Sequence, residues 1–69
     1  MIKTISKFKR GLTLEGTIYE DTDIKTGTPY FAEVFHMGEQ IRSPRFADED
    51  DATMWVDSTF EECIGRRKQ

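Results

Sequence analysis

The stretch Asp48–Ile64 reads DEDDATMWVDSTFEECI, and its spacing decides how the rest of the chain must be arranged. Ala52, Trp55, Val56, Thr59, Phe60 and Cys63 fall at i, i+3, i+4, i+7, i+8 and i+11, the stripe that one face of an α-helix presents. Asp48 suits the N-cap, and Glu49, Asp50 and Asp51 follow where the helix dipole favours negative charge. Gly65 suits a left-handed residue just past the last turn, and Arg66, Arg67 and Lys68 stand at the carbonyl end, where cations are favoured. These signals predict a helix over 48–64 and a basic tail over 65–69, with Met54 on the solvent side. The apolar stripe needs a second layer to pack against.

Residues 12–46 are expected to supply that layer as an antiparallel sheet. From Leu12 the pattern has period two, with Leu12, Leu14, Gly16 and Ile18 on one face and Thr13, Glu15, Thr17 and Tyr19 on the other. Glu20–Gly27 is rich in turn formers, and a positive φ at Gly27 would close a hairpin. Thr28–Met37 (TPYFAEVFHM) is the strongest strand, apolar on both faces. Tyr30, Ala32, Val34 and His36 are assigned inward, because Glu33 on the other face would be costly to bury unpaired. Phe31, Phe35 and Met37 then point outward. Gly38 marks a tight turn into a third strand over Glu39–Phe46, where Pro44 signals an edge or the end of pairing and Phe46 anchors the entry to the helix. In the basic arm, residues 1–11, Ile2, Ile5 and Phe8 recur every three residues among Lys3, Lys7, Lys9 and Arg10. Such spacing fits a short helix or an extended edge arm, and the arm could add a fourth strand. The expected fold is α+β: one domain, a three-stranded antiparallel meander packed by one C-terminal amphipathic helix.

With 69 residues the core must be thin, and a homodimer or partner contact would add to it. The single cysteine excludes an intramolecular disulfide, and Cys63 on the apolar stripe reads as a packed thiol in a reducing compartment. No apolar run approaches a membrane span, and the amino end lacks a signal-peptide core, so a cytoplasmic protein is expected. A net charge of −3 and a pI near 5.0 weigh against nonspecific nucleic-acid binding.

No catalytic signature is present. His36, the lone histidine, has no nucleophile elbow around it and reads as a strand residue with one hydrogen bond. Asp21 and Asp23 form a DxD that reads as a solvated turn, and the acids at 48–51 lack calcium-loop spacing, so no metal or other cofactor is expected. Capping accounts for one or two acids in the run Asp48, Glu49, Asp50 and Asp51. Four in succession repel one another and would present a negative patch to a basic partner. On the outward sheet face Tyr19, Phe31, Phe35 and Met37, with Arg42 nearby, read either as packing under the amino-terminal arm or as an interface with aromatic anchors. Aromatics on an open sheet can also stack bases, but Glu15 and Glu33 share this face and would repel phosphate, which favours protein as the partner.

The junction Arg45-Phe46-Ala47-Asp48-Glu49-Asp50-Asp51-Ala52-Thr53-Met54-Trp55 resembles the strand-to-helix pattern of the three-stranded arm-binding domains of phage integrases, over about Thr28 to Phe60. In that family the sheet carries basic and aromatic residues into a DNA groove; this chain departs from it at Glu15 and Glu33. In size, acidity, lack of catalytic motifs and a compact sheet with one helix, the chain is also similar to small phage-encoded proteins that block bacterial defence, anti-CRISPR proteins among them. That resemblance implies inhibition by occupying a nucleic-acid-handling surface, without chemistry. The leading expectation is a non-enzymatic protein-binding module that covers a basic site through Asp48, Glu49, Asp50, Asp51, Tyr19, Phe31, Glu33 and Phe35. The alternative is a nucleic-acid-binding domain of integrase-arm or excision-factor type using Lys7, Lys9, Arg10, Arg42 and Arg45, together with Lys3.

Overall fold

The computed structural model describes residues 1–23 and 27–67, and in it the helical stripe lies across one face of a four-stranded antiparallel sheet. The strands are β1 (Ile2–Arg10), β2 (Leu14–Asp21), β3 (Tyr30–His36) and β4 (Glu39–Arg42), paired in chain order, and the helix α1 spans Glu49–Arg67. This is the expected α+β meander, with the amino-terminal arm adding the fourth strand.

Pleating sorts the residues. Leu14, Ile18, Ala32 and Val34 face α1 and form the core with Ala52, Val56, Phe60 and Cys63. Thr59 is also buried, whereas Trp55 is half-buried at the rim. The inward face assigned to the central strand is therefore the observed one, and the Cys63 thiol is packed inside. Gly16 lies on the same face, where a Cβ would sit 2.7 Å from Val56 Cγ1 and 3.1 Å from Phe60 Cζ. The missing side chain lets the helix approach the sheet.

Several boundaries differ from expectation. The helix does not stop at Ile64 but runs through Gly65 to Arg67. Gly65 does not take the left-handed conformation that would end the helix there. Lys68 and Gln69 of the expected basic tail lie outside the described residues, as do Ile24–Thr26 in the β2–β3 connection that Gly27 was to close. Leu12 is not on the inward face of a strand. Because β1 pairs Arg10 with Leu14, residues 11–13 form the turn, Gly11 adopts φ 67°, and Leu12 is fully exposed at the tip. β4 ends at Arg42 rather than Phe46. Beyond it Ser43 Oγ accepts the Ala32 N–H (2.7 Å), and Phe46 makes an isolated bridge to Tyr30 on the way into α1.

The three-residue recurrence in the arm has a simple cause. Thr4 pairs with Tyr19 but Ser6 pairs with Ile18, so an extra residue is accommodated at Ile5 and the faces of β1 switch across this irregularity. Ile5 and Phe8 pack against the core, while Ile2 reaches the opposite side of the sheet.

Candidate functional site

The face of the sheet turned away from α1 carries most of the residues singled out for binding. The register aligns Thr4, Tyr19 and Phe31 in one row, Lys7, Thr17, Glu33 and Arg42 in a second, and Lys9, Glu15, Phe35 and Gln40 in a third. Tyr19 and Phe31 stack with centroids 5.1 Å apart and planes 25° from parallel.

Two of these residues are not presented as expected. Phe31 points outward but is only 8% exposed, because the segment after β4 folds back and sets the Arg45 guanidinium 5.0 Å over its ring. Glu33 is 7% exposed and far from unpaired. Its Oε2 accepts Arg42 Nη2 at 3.0 Å and Nε at 3.3 Å, and Gln40 donates to the same oxygen. The cost that placed Glu33 on the solvent side is met by partners on the neighbouring strand. Burial, followed by the adjoining Glu33 carboxylate as hydrogen-bond and charge partner, pushes the Tyr19 phenol above its ordinary range, against smaller opposing effects of Thr17 and Arg42. Phe35 and Met37 remain exposed.

A hollow of about 330 Å3 opens on this face, lined by Ile2, Tyr19, Phe31, Glu33, Arg42, Ser43 and Arg45. Arg45 Nη1 lies 3.6 Å from Asp21 Oδ2, and Asp21 Oδ1 accepts the Asp23 N–H at 3.1 Å. The DxD thus organises a turn and steadies an arginine. The hollow is not visible in the sequence, since Ile2 and Ser43 reach it only through the β1 irregularity and the turn after β4.

The acidic run occupies the other layer. Asp48, Glu49, Asp50 and Asp51 are all exposed at the start of α1, and the Asp48 carbonyl accepts the Ala52 N–H at 3.4 Å. Asp57, Glu61 and Glu62 continue the exposed side of the helix. Met54, 66% exposed, stands between Asp50 and Asp51 one turn before it and Asp57 and Ser58 one turn after. These acids and the Tyr19–Phe31 pair therefore sit on opposite sides of the sheet and do not form one surface.

Arg10 is separated from the other candidate basic residues. It lies on the helix side, 3.4 Å from Asp57 Oδ1, 3.2 Å from Glu61 Oε1, and 5.3 Å over the Phe60 ring. His36 Nε2 is buried without a hydrogen-bond partner among the described residues. Within those residues no group of three or more His, Cys, Asp or Glu is placed to hold a metal, and no helix is long and apolar enough to cross a membrane.

No protein-family model matches the chain, and comparison with curated proteins and with solved structures finds no match.

Proposed function

We propose that the protein is a non-enzymatic binding module whose helix α1 covers a basic surface on a larger protein. The observation that carries this reading is Met54, an exposed apolar side chain with Asp50, Asp51 and Asp57 as its helical neighbours. An apolar centre inside a charged rim is the arrangement by which interfaces combine contact with selectivity. Seven carboxylates, Asp48, Glu49, Asp50, Asp51, Asp57, Glu61 and Glu62, lie along this segment, and no lysine or arginine interrupts them before Arg66. Carboxylates so arrayed can stand in for nucleic-acid phosphates. A nucleic-acid-handling surface of a host defence complex, blocked by a phage or mobile-element inhibitor, is the class of target that suits such a face.

The test is recovery of partners from the source cells with wild-type chain and with the Asp50→Lys/Asp51→Lys variant, washed at rising salt. Wild type is expected to retain a basic protein at low salt and release it as salt screens the contact, while the variant loses it throughout. Equal recovery by both, or recovery insensitive to salt, would overturn the reading.

A second reading, nucleic-acid binding by the opposite face of the sheet, gains from the pairing of Glu33. Its charge is balanced by Arg42, which leaves Lys7 and Lys9 less opposed than the sequence implied, while Arg45 is paired with Asp21. Mobility shift of single-stranded DNA at low salt, lost in Lys7→Gln/Lys9→Gln, would favour it over the first.

A further inference from the structure

The hollow on the sheet face opposite α1 is a built cavity with a chemical bias. Its floor is the Tyr19–Phe31 stack, and Ile2 supplies an apolar wall. Two guanidiniums border it, each held from one side by a carboxylate. Arg42 commits Nε and Nη2 to Glu33, which leaves Nη1 without a role in that pairing. Arg45 offers Nη1 to Asp21 while its Cζ lies 5.0 Å over the Phe31 ring. Guanidiniums fixed in this way retain unused N–H donors and lose little freedom on accepting a further oxyanion.

The other polar groups of the lining are already employed. Ser43 Oγ accepts the Ala32 N–H and donates to the Pro44 carbonyl, both at 2.7 Å, so it fixes the turn that aims Arg45. Glu33 takes Gln40 and Arg42 on Oε2, its carboxylate also meets the Tyr19 phenol, and it serves as a positioning residue for Arg42. Each arginine is paired with a carboxylate, so the donors left over, rather than an excess of positive charge, are what the lining offers a ligand. The volume, about 330 Å3, is at the small end of the range for ligand sites and suits a small ligand with a flat part and one charged group.

We propose that this hollow binds a phosphate monoester carried on a flat ring, of the size of a nucleoside monophosphate, with the ring against Tyr19 and the phosphate between Arg42 and Arg45. The site lies across the sheet from the acidic helix, so it stands or falls independently of the partner contact of α1. Free nucleotides and aryl phosphates share the required chemistry.

The experiment is a titration of the 15N-labelled full chain, followed by amide and arginine Nε resonances, with adenosine monophosphate, phenyl phosphate, adenosine and inorganic phosphate in separate arms. Saturable shifts centred on Tyr19, Phe31, Ser43 and Arg45 are expected for at least one ring phosphate, with a Kd of about 1 mM or tighter. A preference for the nucleotide over phenyl phosphate would identify the source as a nucleotide, and the reverse an aryl phosphate. Adenosine and inorganic phosphate are expected to bind at least about tenfold more weakly. Arg45→Gln, which removes a partly exposed charge, and Tyr19→Leu should each weaken the ring phosphate about tenfold while the spectrum keeps its dispersion. Absence of saturation in every arm, inorganic phosphate binding as well as the ring phosphates, or wild-type affinity in Arg45→Gln would overturn the proposal. Tight binding of a single-stranded oligonucleotide with shifts centred on Lys7 and Lys9 would overturn it as well.

Discussion

At Gly16 a hydrogen is the only substituent that fits between strand and helix, since a methyl group would meet Val56 Cγ1 at 2.7 Å. Val56 is buried and branched, so it has little room to turn away. Gly16→Ala is expected to lower stability by about 1–3 kcal/mol in urea unfolding, and wild-type stability in that variant would mean that α1 rides higher on the sheet. Tyr19 makes a second claim at this scale. Its phenol is raised above the ordinary value by burial and by Glu33, so the folded state holds the proton more tightly than the unfolded chain does. The associated stabilisation is present below about pH 10 and is lost as pH rises through the folded-state pKa. In a Tyr30→Phe background, the ultraviolet titration of Tyr19 should have its midpoint above about 10 and move down in Glu33→Gln. A Tyr19 midpoint at the free-tyrosine value would separate the phenol from Glu33. Pattern reading put Gly16 on the inward face and Glu33 on the outward one, both as observed. That Gly16 is a contact point and Glu33 a buried, paired carboxylate depends on Val56 and Arg42, which no local window contains.

Among the elements, α1 was the most legible because start, stripe and capping acids all reported the same period. Its end was not, since Gly65 signals a stop only where the chain has reason to turn. β1 was ambiguous for a definite reason. The irregularity at Ile5 replaces alternation by a three-residue recurrence that resembles a helical pattern, and only pairing with β2 resolves it. The β3–β4 hairpin carries a strain that can be tested. His36 pairs with Glu39, leaving Met37 and Gly38 as a two-residue turn with φ of 52° and 87°, the mirror-image geometry that favours Asn-Gly. Met37→Asn should therefore stabilise the chain by about 0.5–1 kcal/mol and raise the thermal midpoint by several degrees. A lower midpoint would show that the exposed methionine packs in a way its solvent accessibility conceals.

Across the whole molecule the two layers differ in charge. The helix turns a series of carboxylates outward, of which Asp57 and Glu61 are met by Arg10 from β1, while Lys7, Lys9, Arg42 and Arg45 lie with Glu15 and Glu33 on or beside the sheet face behind it. Reading the sequence joined the acids and the aromatics into one contact surface; the structure assigns them to opposite sides, because period-two alternation sends Tyr19 and Phe31 away from the helix that carries the acids. The burial of Phe31 was likewise out of reach, since its cover is Arg45 arriving after β4. The central claim, that the exposed side of α1 is the partner contact, is tested most directly by carboxylate footprinting. The free chain and its purified complex are labelled with carbodiimide and glycine ethyl ester and compared residue by residue. Protection of Asp50, Asp51 and Glu62 is expected in the complex, with Glu15 on the opposite face labelled as in the free chain. Protection confined to Glu15, with the helix carboxylates unchanged, would contradict it.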